Sequence, residues 1–103
     1  MRLSGLKVQK AHMMTADTAR SEVERALPGL LQEFGSDVSD ITHVWSGNSM
    51  NFSFRARGWS IKGRIYVTES EVLIELNLPI LARPFEGRIR SATERKLEQI
   101  FQG

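Results

Sequence analysis

The sequence predicts an α+β domain: a mostly antiparallel sheet of four to five strands with two helices packed on one face, in the order β-α-β-β-β-β-α. Two observations carry this prediction. Three successive stretches between residues 50 and 78 alternate apolar and polar side chains with a period of two, as strands do when one face is buried. Two other segments, one before and one after them, repeat apolar residues at intervals of three and four, as amphipathic helices do. A sheet with one continuous apolar side must bury it against elements that carry a matching stripe, and these two helices supply it.

The first element is short. "GLKVQKA" places Leu6 and Val8 on one side and Lys7 and Gln9 on the other, which predicts a strand. In "TADTARSEVERALPGLLQEFG" the residues Ala19, Val23, Ala26, Leu27, Leu30 and Phe34 line one helical face, with Thr15 as N-cap and Gly35 as terminator. Pro28 and Gly29 interrupt that helix. Proline lacks an amide donor and clashes with the preceding turn at a cost of about 3 kcal/mol in a regular interior, so a kink or a helix in two pieces is expected there.

A meander follows from residue 41 to residue 78. "ITHVWS" is a strand that ends at the turn residues "GNS". In "MNFSFRAR", Met50, Phe52, Phe54 and Ala56 oppose Asn51, Ser53, Arg55 and Arg57. After Gly58, the residues Trp59, Ile61, Gly63, Ile65 and Val67 share a face, with Lys62, Arg64 and Tyr66 on the other. Val72, Ile74, Leu76 and Leu78 then form the apolar side of a last strand whose outer side holds Glu71, Leu73, Glu75 and Asn77. Glu71 and Glu75 are expected opposite Lys62 and Arg64 as cross-strand charge partners.

"LARPFEGRIR" turns the last strand into the last helix. Pro79 ends the strand because it cannot donate to the ladder, and Pro84 suits a first helical turn, whose amides have no internal partner. Phe85, Ile89, Ala92, Leu97, Ile100 and Phe101 form the buried stripe, with Phe85 anchoring the helix on the sheet. Gly87 is expected where the backbone comes close to a neighbour, and Arg90 is placed to pair with Glu94 one turn on.

Composition bounds the function. At 103 residues with 41% hydrophobic content, residues 1–103 form a single domain with one core. The net charge of +2 permits a polyanionic partner without demanding one. The absence of cysteine excludes thiolate chemistry and disulfides. The longest apolar runs fall short of the about 20 residues a membrane helix needs, so a cytoplasmic protein without a transmembrane segment is expected.

No catalytic, cofactor-binding or metal-binding residues emerge. The two histidines, His12 and His43, stand far apart, and no phosphate-cradling glycine motif is present. The outer face of the meander is the more informative feature. Arg55, Arg57, Lys62 and Arg64 form a basic stripe there, with Tyr66 and an exposed Leu73 beside it, a patch that could also serve a homodimer. Nucleic acid is not the expected partner, because sheet-based recognition stacks bases on exposed aromatics, and Phe52, Phe54 and Trp59 fall on the apolar side.

The stretch "LPILARPFEGRIRSATERKLEQIF", with "WSIKGRIYVTESEVLIELNL" and "ARSEVERALPGLLQEFG" upstream, resembles the bacterial polyhydroxyalkanoic acid system protein family. The Arg-Pro-Phe step followed by Gly-Arg-Ile is the most specific part of the likeness. The chain departs from the family's pattern at Pro28-Gly29 and in its longer "SDVSDITHVWSGNSMN" connection. The resemblance implies a role in polyester storage, at or near the granule, and brings no catalytic residues with it. It marks Arg83, Pro84, Phe85, Gly87 and Arg88 as candidate contact or signature residues. The expectation is a non-enzymatic accessory protein acting on the granule surface or its coat proteins. The alternative is a small soluble binding domain for an acyl ligand or a protein partner, unrelated to granules.

Overall fold

The computed structural model describes residues 3–32, 38–56, 58–79 and 84–101. Its elements follow the predicted order: β1 (Leu3–Ala11), α1 (Ala16–Gln32), β2 (Ser39–Ser46), β3 (Ser49–Ala56), β4 (Trp59–Val67), β5 (Glu71–Pro79) and α2 (Glu86–Ile100). The five strands form one sheet in the order β1-β5-β4-β3-β2, with every neighbouring pair antiparallel. β1 occupies one edge, α1 carries the chain to the other edge, and the meander returns until β5 lies beside β1.

The turns have local causes. Gly47 and Gly58 adopt φ angles of 61° and 78°, a region in which a Cβ is strained, so each closes a tight hairpin that a larger residue would resist. Between β4 and β5, the Thr68 hydroxyl oxygen accepts from the amides of Ser70 and Glu71 at 3.2 and 3.0 Å. Thr15 caps α1, its Oγ1 accepting from the Thr18 amide at 3.1 Å. Gly35, the expected terminator, lies outside the described residues, as does Phe34.

α1 is one helix, not two pieces, with Pro28 inside it. Pro28 and Gly29 are exposed, while Leu27, Leu30 and Leu31 around them are buried. The amide that proline lacks is therefore missing on the solvent side, where the Glu24 carbonyl it would have served can be hydrated. Burial of the flanking leucines holds the helix together through the defect.

The apolar faces of β3, β4 and β5 meet the two helices as their alternation predicts. Met50, Phe52, Phe54, Ala56, Ile61, Ile65, Val67, Val72, Ile74, Leu76 and Leu78 are all buried, joined by Leu6 and Val8 of β1. Gly63 has a specific task in this layer. It lies between Phe52 on β3 and Leu76 on β5, and a Cβ there would stand 2.4 Å from the Phe52 ring and 2.8 Å from the Glu75 carbonyl oxygen. The missing side chain makes room for the Phe52 ring, which stacks on Phe54 at 6.3 Å.

α2 packs on β1 and α1 through Ile89, Thr93 and Leu97. Thr93 is fully buried, its hydroxyl donating to the Ile89 carbonyl at 2.8 Å, whereas Ala92, expected in the stripe, is only half-buried. Arg90 reaches away from Glu94 and donates to the Lys7 carbonyl at 2.9 Å. A bond to the neighbouring strand replaces the expected pairing along the helix. Pro84 and Phe85 form a short turn ahead of α2, and the half-buried Phe85 ring meets Trp59 at 6.3 Å. Gly87 is exposed, and among the described residues nothing lies within 4 Å of its Cβ position, so none of them makes the close approach expected there.

Candidate functional site: the open sheet face

Both helices cover one side of the sheet, and the strand register organises the other into cross-strand rows. The central row crosses all five strands: Val44, Asn51, Arg64, Glu75 and Lys7. Beside it run Thr42, Ser53, Lys62, Asn77 and Gly5. A third row on the opposite flank holds Ser46, Ser49, Tyr66, Leu73 and Gln9. The first two rows border a shallow hollow of about 500 Å³, lined by Thr42, Val44, Asn51, Ser53, Lys62, Arg64, Glu75 and Asn77 with Phe52 and Gly63 at its floor.

Arg64 organises the centre. Its Nε donates to Asn51 Oδ1 at 2.8 Å and its Nη1 to the Tyr66 phenolic oxygen at 2.9 Å. The guanidinium carbon stands 5.8 Å from the Tyr66 ring centroid. The Tyr66 hydrogen bond and the partial negative charge of the phenolic oxygen, with a lesser contribution from Glu75, hold the Arg64 guanidinium above its ordinary range against the opposing effect of desolvation. Arg64 is thus charged and oriented before any ligand arrives. Thr42 and Ser53 share a hydroxyl hydrogen bond at 2.7 Å. Lys62, exposed in the same hollow, has no hydrogen bond or ion pair among the described residues.

The register refines the expected charge partners. Glu75 does lie opposite Arg64, but Lys62 faces Asn77, and Glu71 faces Ala11 at the end of β1. In the hollow, Glu75 is the one carboxylate beside Lys62 and Arg64, which leaves a surplus of hydrogen-bond donors there. Such a surface suits a ligand rich in oxygen acceptors.

The other predicted residues take separate places. Arg55 is exposed opposite Ser60, beyond the hollow, and Arg57 lies outside the described residues. Leu73, expected exposed, is half-buried between Tyr66 and Gln9, its neighbours across the two adjoining strands. Of the corner residues, Arg83 lies outside the described residues, Pro84, Gly87 and Arg88 are exposed and Phe85 is half-buried. Pro84, Phe85, Gly87 and Arg88 belong to the helix side of the sheet, away from Arg55, Lys62 and Arg64.

A second cluster was not anticipated. On β2 the odd positions face the helices, and Glu24 of α1 accepts from Trp45 Nε1 at 3.0 Å and contacts His43 Nε2 at 3.2 Å. The Arg20 guanidinium lies 4.5 Å over the Trp45 ring. Asp17, Arg20, Ser21, Glu24 and Trp45 border a depression of about 210 Å³. A period of two along "ITHVWS" signals which residues share that face, but not that Glu24 stands above them. His12 is buried, its Nε2 bonded to the Thr68 carbonyl at 2.8 Å and its Nδ1 accepting from the Met14 amide at 3.1 Å. That pairing places the ring proton on Nε2 and occupies both nitrogens. Among the described residues, no helix is long and apolar enough to cross a membrane, and no group of three or more His, Asp or Glu side chains is placed to hold a metal ion.

Comparison with curated proteins gives no match. Among solved structures, the chain is similar to the crystal structure of TTHA0849 from Thermus thermophilus, at a TM-score of 0.36 and 10% identity, covering 96% of this chain and 92% of that chain. A family model described as "Putative polyhydroxyalkanoic acid system protein" matches residues 6–101, which span both helices and nearly the whole sheet, and the chain therefore belongs to that family.

Proposed function

We propose that this protein is a non-enzymatic accessory of bacterial polyhydroxyalkanoate storage that acts by contact between its open sheet face and the granule surface or the proteins coating it. Family membership supports the association with polyester storage. The observation that carries the contact is the hollow around Lys62 and Arg64, where one ammonium has no partner among the described residues and one guanidinium is already oriented. A polyester displays ester carbonyls and carboxyl ends, which accept hydrogen bonds and offer no donors along the chain, so its chemistry complements this face. Tyr66, Leu73 and Val44 add apolar area at its margins. The same reading puts the protein in the cytoplasm, at storage granules.

The test is partitioning of the purified protein onto isolated granules, native or stripped of their protein coat. Binding to both is the result expected of direct contact with the polymer surface, and binding to native granules alone that of a coat-protein partner. Binding to neither overturns the proposal.

A further inference from the structure

The two edges of the sheet are finished differently. Along β1, α2 covers the outer side: Arg90 donates to the Lys7 carbonyl at 2.9 Å, and Lys10 pairs with Glu98 at 2.7 Å. Along β2, no described segment pairs with the outer side. An uncovered edge offers a row of backbone donors and acceptors to another strand, and proteins commonly block it with charges, proline or a bulge. β2 has a bulge only at its start, where the register jumps between Ser39 and Thr42 and Asp40 adopts a φ of 54°. From Ile41 to Ser46 it carries neither an acidic or basic residue with a fixed charge nor proline. Val44, in the middle of that run, is 67% exposed.

We infer that β2 is a dimerisation edge, on which the β2 strand of a second copy of this chain pairs antiparallel about a two-fold axis at Val44. The bulge and the Gly47–Asn48 turn confine the regular segment to residues 42–46, which is centred on Val44. In this register Val44 meets its own counterpart, Thr42 meets Ser46, and His43 meets Trp45, so no like fixed charges oppose one another along the strand. The flanking groups favour the same occupant. Glu24 bonds both His43 and Trp45, and Arg20 lies over Trp45. Placing His43 of one copy against Trp45 of the other therefore gathers two carboxylates and two guanidiniums beside the axis, a set with no net charge. On the opposite side, the two open faces join into one surface across the axis. This edge is distinct from the Tyr66–Leu73 patch, and the inference does not depend on granule binding.

Sedimentation equilibrium of the full chain over a range of concentrations tests it. The expected result is a mass that rises from 11.7 kDa toward twice that value. Val44→Lys and Val44→Glu each place like charges at the axis and should weaken dimerisation by at least about tenfold, while their equimolar mixture should restore it. Circular dichroism melting checks that both variants fold. In the unmodified chain, amide hydrogen exchange within residues 42–46 should slow as concentration rises, a readout that needs no variant. A mass that stays at the monomer value up to the solubility limit, charged variants that dimerise like the parent, or a mixture that does not recover would each overturn the inference.

Discussion

The covered and open faces of the sheet come from the same strands by the same alternation, yet they are specified at different levels. On the covered face the rows of β3, β4 and β5 are apolar, and any register that keeps the alternation buries them. On the open face the meaning of a residue depends on what stands across from it. Arg64 is oriented by Asn51, which register places opposite it, and by Tyr66 two residues along its own strand, and Lys62, facing Asn77 rather than a carboxylate, is unpaired among the described residues. The difference separates residues that hold the fold from residues available for contact, and substitutions should separate them in turn.

The largest effect is expected on the covered face. Phe54→Ala removes a fully buried ring and should lower stability by about 3–5 kcal/mol in denaturant unfolding. Gly63→Ala tests the close packing of the same layer. The added methyl must displace the Phe52 ring and press on the Glu75 carbonyl, a backbone atom that yields little, so a loss of about 1–3 kcal/mol is expected. His12→Phe keeps the contact with Phe101, whose ring lies 5.5 Å away, but strips partners from the Thr68 carbonyl and the Met14 amide. It should cost about 1–2 kcal/mol. On the open face, Lys62→Ala should change stability by less than about 0.5 kcal/mol, since the side chain is exposed and unpaired. A large loss there would erase the distinction between the faces.

The two levels also explain what could be read in advance. The strands β3, β4 and β5 were legible because a period of two depends on local sequence, and both helices were legible from their apolar spacing. The basic and aromatic members of the open face followed from the same alternation. Pro28 left a kink or a break open because the cost of proline depends on its surroundings, and the helix is unbroken where proline faces water and leucines on both sides are buried. Thr93 was overlooked because a threonine reads as polar, although its hydroxyl is satisfied within its own helix. The β2 cluster, the pairing of Glu71 with Ala11 and the reach of Arg90 to Lys7 all depend on register or packing between distant segments. Such contacts leave no periodic trace in the sequence.

The open-face claim is tested most directly by charge reversal on opposite sides of the sheet, read as the fraction of protein bound to native granules. The double variant Lys62→Glu/Arg64→Glu alters the hollow, and Arg88→Glu/Arg95→Glu makes the same change of charge on exposed positions of α2. With both proteins folded, loss of binding by the first and retention by the second is the predicted result. Equal loss in both, or undiminished binding by the open-face variant, would contradict the account.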